Sequence, residues 1–207
     1  MKMTNEHNRS IYRAWAPVYD AILGGFFLPG RKQAMQKLDL KPGEKVLLVG
    51  IGTGADLPLL PSGVITTGID LSSEMLQRAK SRLPLPNREV KLIEGDAQQL
   101  QVEAASFDAI MFNLILSVIP EPESCLRENL RALKPGGRAV VFDKFLPDSG
   151  NLSFLRRFFN FFSTAFGTDV TRRFGEIAGG LYIKIVSNEP SIFHGTYRVI
   201  LLSSCKH

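Results

Sequence analysis

Three glycines at alternate positions, Gly50, Gly52 and Gly54, follow a short apolar run, Val46-Leu47-Leu48-Val49. Glycine lets the chain turn sharply and lets a ligand lie against the backbone where a Cβ would stand in the way. Sixteen residues beyond Gly54, a second run, Val64-Ile65-Thr66-Thr67-Gly68-Ile69, ends in a carboxylate, Asp70. A third run ends in Glu94-Gly95-Asp96-Ala97. A backbone loop under the ligand and an acid for ribose hydroxyls are how doubly wound sheets hold an adenosine. Asp96 could accept a hydrogen bond from an exocyclic amine in the same way. Alone, the glycines would read as a structural turn and Asp96 as a turn aspartate; their order and spacing make them a cofactor site. The spacing Gly50-x-Gly52-x-Gly54, followed by Ala55, departs from the G-x-G-x-x-G of dinucleotide sites and disfavours a nicotinamide cofactor.

The elements that must position these residues follow from hydropathy. Strands are expected at 44–49, 64–69, 89–94, 107–112 and 138–143, with helices near 55–60, 72–82 and 122–132 between them. Ser72 with Glu74 suits a helix start, and Pro84-Leu85-Pro86 a helix end. Leu133-Lys134-Pro135-Gly136-Gly137 is a breaker cluster that should place the start of the fifth strand at Arg138. Two closing runs, Leu181–Ser187 and Tyr197–Ser203, suit an antiparallel pair joined through Asn188-Glu189-Pro190 and His194-Gly195. Ahead of the sheet, Ile11, Ala14, Trp15, Val18, Tyr19 and Ile22 recur at helical spacing, broken at Pro17. Gly24-Gly25 and Pro29-Gly30 read as further joints, followed by a helix over about 30–39 carrying Ala34, Met35 and Leu38 inward. The expected architecture is α/β: one domain with a doubly wound, mostly parallel seven-stranded sheet, N-terminal lid helices and a C-terminal antiparallel pair. Its parts are a lid at 1–39, a cofactor core at 40–143, a phenylalanine-rich basic insertion at 144–180 and closing strands at 181–207.

Composition sets the class of partner. A chain of 207 residues suits a single domain. Cys125 and Cys205 form neither a disulfide framework nor a metal spacing, so a reducing compartment and no metal are expected. The polar start, Met1 to His7, has no signal-peptide core, and no apolar run approaches a bilayer span. The net charge of +5 is uneven: residues 1–39 and 144–184 each carry six basic against three acidic side chains, while residues 40–143 carry eleven against thirteen. Six of the fourteen phenylalanines lie between 151 and 167, around Arg156 and Arg157. Cations interleaved with aromatics suit an anionic membrane surface better than a nucleic-acid groove, although a buried core helix has the same pattern.

The pieces VLLVGIGTG (46–54), GIDLSSEML (68–76), EGDAQQL (94–100), FDAIMFNLILSVIP (107–120) and LKPGGR (133–138), in that order, resemble the class I S-adenosylmethionine-dependent methyltransferases. The resemblance implies S-adenosyl-L-methionine as cofactor. Gly50, Ile51, Gly52, Thr53 and Gly54 would underlie its methionine part and Asp70 would bind the ribose. Leu71 or Met75 would pack on adenine, Asp96 and Ala97 would hold the amino edge, and Asn113 and Leu114 would line the wall near the sulfonium. The family usually has an acid two residues before the first glycine, where this chain has Leu48. The flanks, with YRAWAPVYD (12–20), LSVIPEPE (116–123), DKFLP (143–147) and GTDVTRRF (167–174), resemble small bacterial phospholipid N-methyltransferases that act on phosphatidylethanolamine.

This resemblance implies N-methylation of phosphatidylethanolamine towards phosphatidylcholine, by a monomer held peripherally at the cytoplasmic face of the membrane. The acceptor amine must lose a proton. Tyr19 and Asp143 are the candidates to take that proton or to orient the amine, with His194 disfavoured by its late position. Lys144, Arg172 and Arg173 are candidates for the lipid phosphate, a solvated basic turn being the plainer reading. The alternatives are a methyltransferase for another amphiphile, such as a quinone precursor, small thiol or amine, and a non-catalytic membrane-binding module. A nucleic-acid partner is not expected, because Phe112-Asn113-Leu114-Ile115 carries no base-methylation signature.

Overall fold

The computed structural model describes residues 25–146 and 172–204. Residues 25–38 form helix α1, ahead of strand β1 (Lys45–Val49) and a 3-10 turn at Leu57–Leu59. Then come β2 (Ile65–Asp70), α2 (Ser73–Lys80), β3 (Glu89–Glu94), β4 (Phe107–Asn113) and α3 (Pro122–Arg131). The chain continues with β5 (Leu133–Lys144), α4 (Phe174–Ala178), β6 (Ile183–Pro190) and β7 (Tyr197–Ser204). The expected helices before residue 25, with Tyr19, and the phenylalanine-rich stretch 151–167 lie outside the described residues.

The seven strands form one sheet in the order β3-β2-β1-β4-β5-β7-β6. All neighbours from β3 to β5 are parallel, and β7 runs antiparallel to both β5 and β6. This is the Rossmann-like, doubly wound sheet expected from the sequence. Alternation along β4 divides the core. Ile110 and Phe112 face a layer with Leu126 of α3 and Phe174 and Ile177 of α4. Ala109 and Met111 face a layer with Ala34, Met35 and Leu38 of α1 and Ala79 of α2. Successive strand residues point to opposite faces, so a strand buried on both sides must be apolar throughout. The consequence is a crevice where chain order reverses between β1 and β4, at the carboxyl ends of the strands.

Two sequence expectations need correction. Pro29-Gly30 is not a joint, because α1 runs through it. A Cβ on Gly30 would lie 2.2 Å from the Phe142 ring, so this glycine marks the close approach of α1 to β5. Nor does β5 begin at Arg138. Leu133 already pairs with Phe107, the ladder skips from Phe107–Leu133 to Ala109–Arg138, and the residues between bulge out. Leu133 is buried and keeps the strand on the sheet, while Pro135 lacks an N–H and Gly136 turns at φ 73°.

Candidate functional site

A cleft of about 890 Å³, counted to its solvent-open mouth, lies at the carboxyl ends of β1 to β4. It is lined by the turn after β1, by Asp70, Leu71 and Ser72 after β2, by Asp96 and Ala97 after β3, and by Asn113, Leu114 and Ile115 after β4. Of the twelve residues assigned to a cofactor from the sequence, eleven line it. The exception is Gly54. Its φ is +78° and a Cβ there would lie 2.8 Å from Leu57 Cδ1 and 3.0 Å from Ala79 Cα, so Gly54 seats the turn against α2. Gly52 is the opposite case: at φ +56°, a Cβ would meet nothing within 4 Å.

Hydrogen bonds hold the turn. Asp70 Oδ2 accepts the Gly52 N–H at 2.7 Å, and Asp70 Oδ1 accepts the Ser72 N–H at 3.0 Å. Ser72 caps α2, its hydroxyl accepting the Met75 N–H at 3.2 Å. Burial pushes the Asp70 carboxyl above the usual carboxylate range, and the backbone donors from Ser72, Gly52 and Leu71 pull it back only in part. Asp96 does what a turn aspartate does, accepting from the Gln98 backbone at 2.9 Å and from Gln98 Nε2 at 3.1 Å, and it lines the cleft as well. Leu114 sits at φ 60°, a left-handed conformation costing a leucine about 1–2 kcal/mol, and its N–H is held by Phe142 O at 2.8 Å.

Two residues escaped the sequence reading. Asp56, two positions after Gly54, is 4% exposed. Its Oδ2 accepts from Arg31 Nη1 at 2.6 Å and its Oδ1 from Asn113 Nδ2 at 2.9 Å. Arg31, 8% exposed, comes from α1 and lines the cleft. A signal for it existed. Arg31, Ala34, Met35 and Leu38 share one helical face, and a cation on a buried stripe needs a buried partner. Leu48, in place of the usual acid, is packed in the core with Val46 and Met111.

The residues assigned to catalysis and phosphate binding are placed differently. Tyr19 lies outside the described residues. Asp143 is fully buried and absent from the cleft lining. Its Oδ2 accepts the Ser117 N–H at 2.9 Å, its Oδ1 the Lys144 N–H at 2.8 Å, and burial raises its pKa against the pull of the Lys144 charge. Its carboxylate faces backbone donors inside the fold and ties the loop after β4 to the end of β5. Lys144 is buried beside it. Arg172 is brought back by the hydrogen bond from Leu146 N–H to its carbonyl at 2.9 Å, and its guanidinium donates to the carbonyls of Leu116 and Ile119. Arg173 precedes α4, 3.8 Å from Glu176. Of these three cations, Arg172 is engaged with carbonyls of the loop after β4, Lys144 is buried and Arg173 stands beside Glu176. His194 lies on the β6–β7 turn at φ 53°, away from the cleft lining.

Among the described residues, no group of three His, Cys, Asp or Glu side chains could hold a metal ion, and no helix is long and apolar enough to cross a membrane. Cys125 is buried in the core beside Asn129.

A family model described as a methyltransferase domain matches residues 47–141. A phosphatidylethanolamine N-methyltransferase of Cereibacter sphaeroides is 35% identical over 144 residues, 69% of this chain and 70% of that protein. A demethylmenaquinone methyltransferase of Corynebacterium glutamicum is 38% identical over 118 residues, 56% of this chain and 49% of that protein, so the match spans about half its length. A solved structure of an Aquifex aeolicus S-adenosylmethionine-dependent methyltransferase superposes with a TM-score of 0.63, at 19% identity, over 94% of this chain and 97% of that one. At that identity the likeness is one of fold.

Proposed function

The chain belongs to the S-adenosylmethionine-dependent methyltransferases, and from that premise we propose that it methylates the amine of phosphatidylethanolamine at a membrane surface. The observation that carries the acceptor is the similarity to a phosphatidylethanolamine N-methyltransferase over more than two thirds of both chains. Exposed aromatics lend support: Phe26 on α1 and Phe193 on the β6–β7 turn are 61% and 51% exposed. Phe193 stacks edge-on against Phe27, and Tyr197 beside it pairs with Lys144 at the carboxyl end of β5, the cleft end of the sheet. Such side chains suit an enzyme that works at a lipid interface.

The residues present fit the cofactor. Gly52 leaves open space where any side chain would project, and Asn113 Oδ1 is a buried acceptor without a hydrogen-bond partner in the described structure. Gly50, Gly52 and Thr53 would underlie the methionine part, Asp70 the ribose, Leu71 and Met75 the adenine face, and Asp96 with Ala97 the amino edge. When bound, S-adenosylmethionine supplies an electrophilic methyl group on a sulfonium. The chain's own contribution is alignment, worth at best about 7–11 kcal/mol. The acceptor amine must be neutral to attack. With Asp143 engaged inside the fold, the proton of the acceptor ammonium passes to water or to Tyr19 as its phenolate. The whole chain acts as one domain, a monomer docked peripherally on the cytoplasmic face through the basic flanks.

The test is incubation with methyl-labelled cofactor and liposomes of phosphatidylethanolamine and phosphatidylglycerol. Label in mono- and dimethylated lipid is the expected result; none would end the proposal. The similarity to demethylmenaquinone methyltransferases favours a second reading, a quinone precursor as acceptor. With demethylmenaquinone added to the same vesicles, label in the methylated quinone but not in lipid would select it.

A further inference from the structure

We propose that Arg31 and Asn113, both fastened to Asp56, form the subsite that receives the charged amino-acid end of the cofactor: Arg31 its carboxylate, Asn113 Oδ1 its ammonium. This rests on the cofactor being S-adenosylmethionine, whose methionine end carries an anion and a cation on one carbon.

The sheet order gives the direction. Asp96 and Asp70 stand after β3 and β2, on one side of the glycine turn of β1, and Asn113 stands after β4 on the other. A nucleoside held by the two acids directs its amino-acid end towards β4 and towards α1, which packs over that face. Arg31 is the one cationic side chain lining the cleft among the described residues. A guanidinium removed from water and held in place binds a carboxylate through two parallel donors.

The acceptor half follows from the same carboxylate. Asp56 is acceptor-only, so the Asn113 amide must turn Nδ2 towards it, as it does at 2.9 Å, which leaves Oδ1 on the other side. Asn113 is 6% exposed, lines the cleft, and among the described residues its Oδ1 has no hydrogen-bond partner. A buried amide oxygen left unpaired is costly, and an ammonium group is a donor that would satisfy it. Leu48, buried where the resembling family carries an acid, offers that ammonium nothing. Asp56 thus sets donor and acceptor on its two oxygens, and its own charge is neutralised by Arg31. The subsite is matched to a zwitterion.

Calorimetry with the full-length protein tests this using S-adenosylmethionine, its decarboxylated form and 5′-methylthioadenosine, which keep both charges, the ammonium alone and neither. Arg31→Met should weaken S-adenosylmethionine by ~10-fold or more and leave the other two within about threefold. Asn113→Ala should weaken S-adenosylmethionine and the decarboxylated form, by roughly 5-fold or more, and spare methylthioadenosine. Arg31→Lys keeps the charge beside Asp56 if the methionine variant does not fold; it should selectively reduce the preference for the carboxylate-bearing ligand. Retained methylthioadenosine binding certifies that each variant is folded. Equal losses for all three ligands, or no loss, would overturn the subsite and leave the pair as scaffold. A wild-type protein that binds none of the three would overturn the cofactor itself.

Discussion

The Gly52 N–H donates to Asp70 Oδ2 at 2.7 Å, so the turn after one strand is tied to the carboxylate that ends the next. The acid that would hold the ribose therefore also shapes the surface beneath the methionine. The two tasks act on one protonation state, which makes their pH dependence a test of the arrangement.

Burial holds the Asp70 carboxyl above its usual range. The folded protein then keeps a proton that the unfolded chain has released, so this group's contribution to stability is full at low pH and is lost as pH rises through the raised value. Cofactor affinity should run the other way, because the ionised carboxylate is the better acceptor for ribose hydroxyls. Titrations upward from the ordinary carboxylate range should show affinity rising with pH, and Asp70→Asn should flatten that profile while weakening binding ~10–100-fold.

The glycines of the turn should separate by function. Gly54→Ala adds a Cβ 3.0 Å from the Ala79 backbone at φ +78°, so it should cost roughly 2–3 kcal/mol in urea denaturation, strain and overpacking together. Gly52→Ala meets open space and should cost only the ~1–2 kcal/mol of a left-handed alanine. Its larger effect should fall on cofactor affinity, read by calorimetry. The reverse pattern would mean that the cofactor does not lie over Gly52.

Asp143 should behave as a structural residue. Asp143→Ala leaves the Ser117 N–H and the Lys144 charge buried without it, and a loss of about 3–5 kcal/mol is expected. Asp143→Asn, which keeps shape and one acceptor, should be less destabilised and retain measurable turnover. A variant of unchanged melting temperature with abolished kcat would instead restore Asp143 as the base.

Gly30→Ala should be destabilising by ~1–3 kcal/mol, since its Cβ would overlap the Phe142 ring. Phe142→Leu should itself be destabilising, yet combined with Gly30→Ala it should cost less than the sum. A double-mutant cycle in denaturant measures that coupling, and strict additivity would place α1 elsewhere.

Much of this was legible in the residues because it depends on near neighbours. Strand periodicity, the Ser72 cap and the glycine turn are local patterns, and eleven of the twelve residues that the resemblance assigns to the cofactor line one cleft. Family membership followed from the order of those same pieces along the chain.

What escaped was set by distance along the chain. Arg31 meets Asp56 across 25 residues, Asp143 meets Ser117 across 26, and Arg172 meets Leu116 across 56. In the sequence, Asp143 was an acid at a strand end and Arg172 a spare cation. Only packing showed that each is occupied inside the fold, since a charge removed from water must take whatever partner the fold brings beside it. The same holds for Pro29-Gly30 and for Lys134–Gly137. Local propensity called for a break at both, but the Phe142 ring needed the space above Gly30, and Leu133 found a place in the sheet.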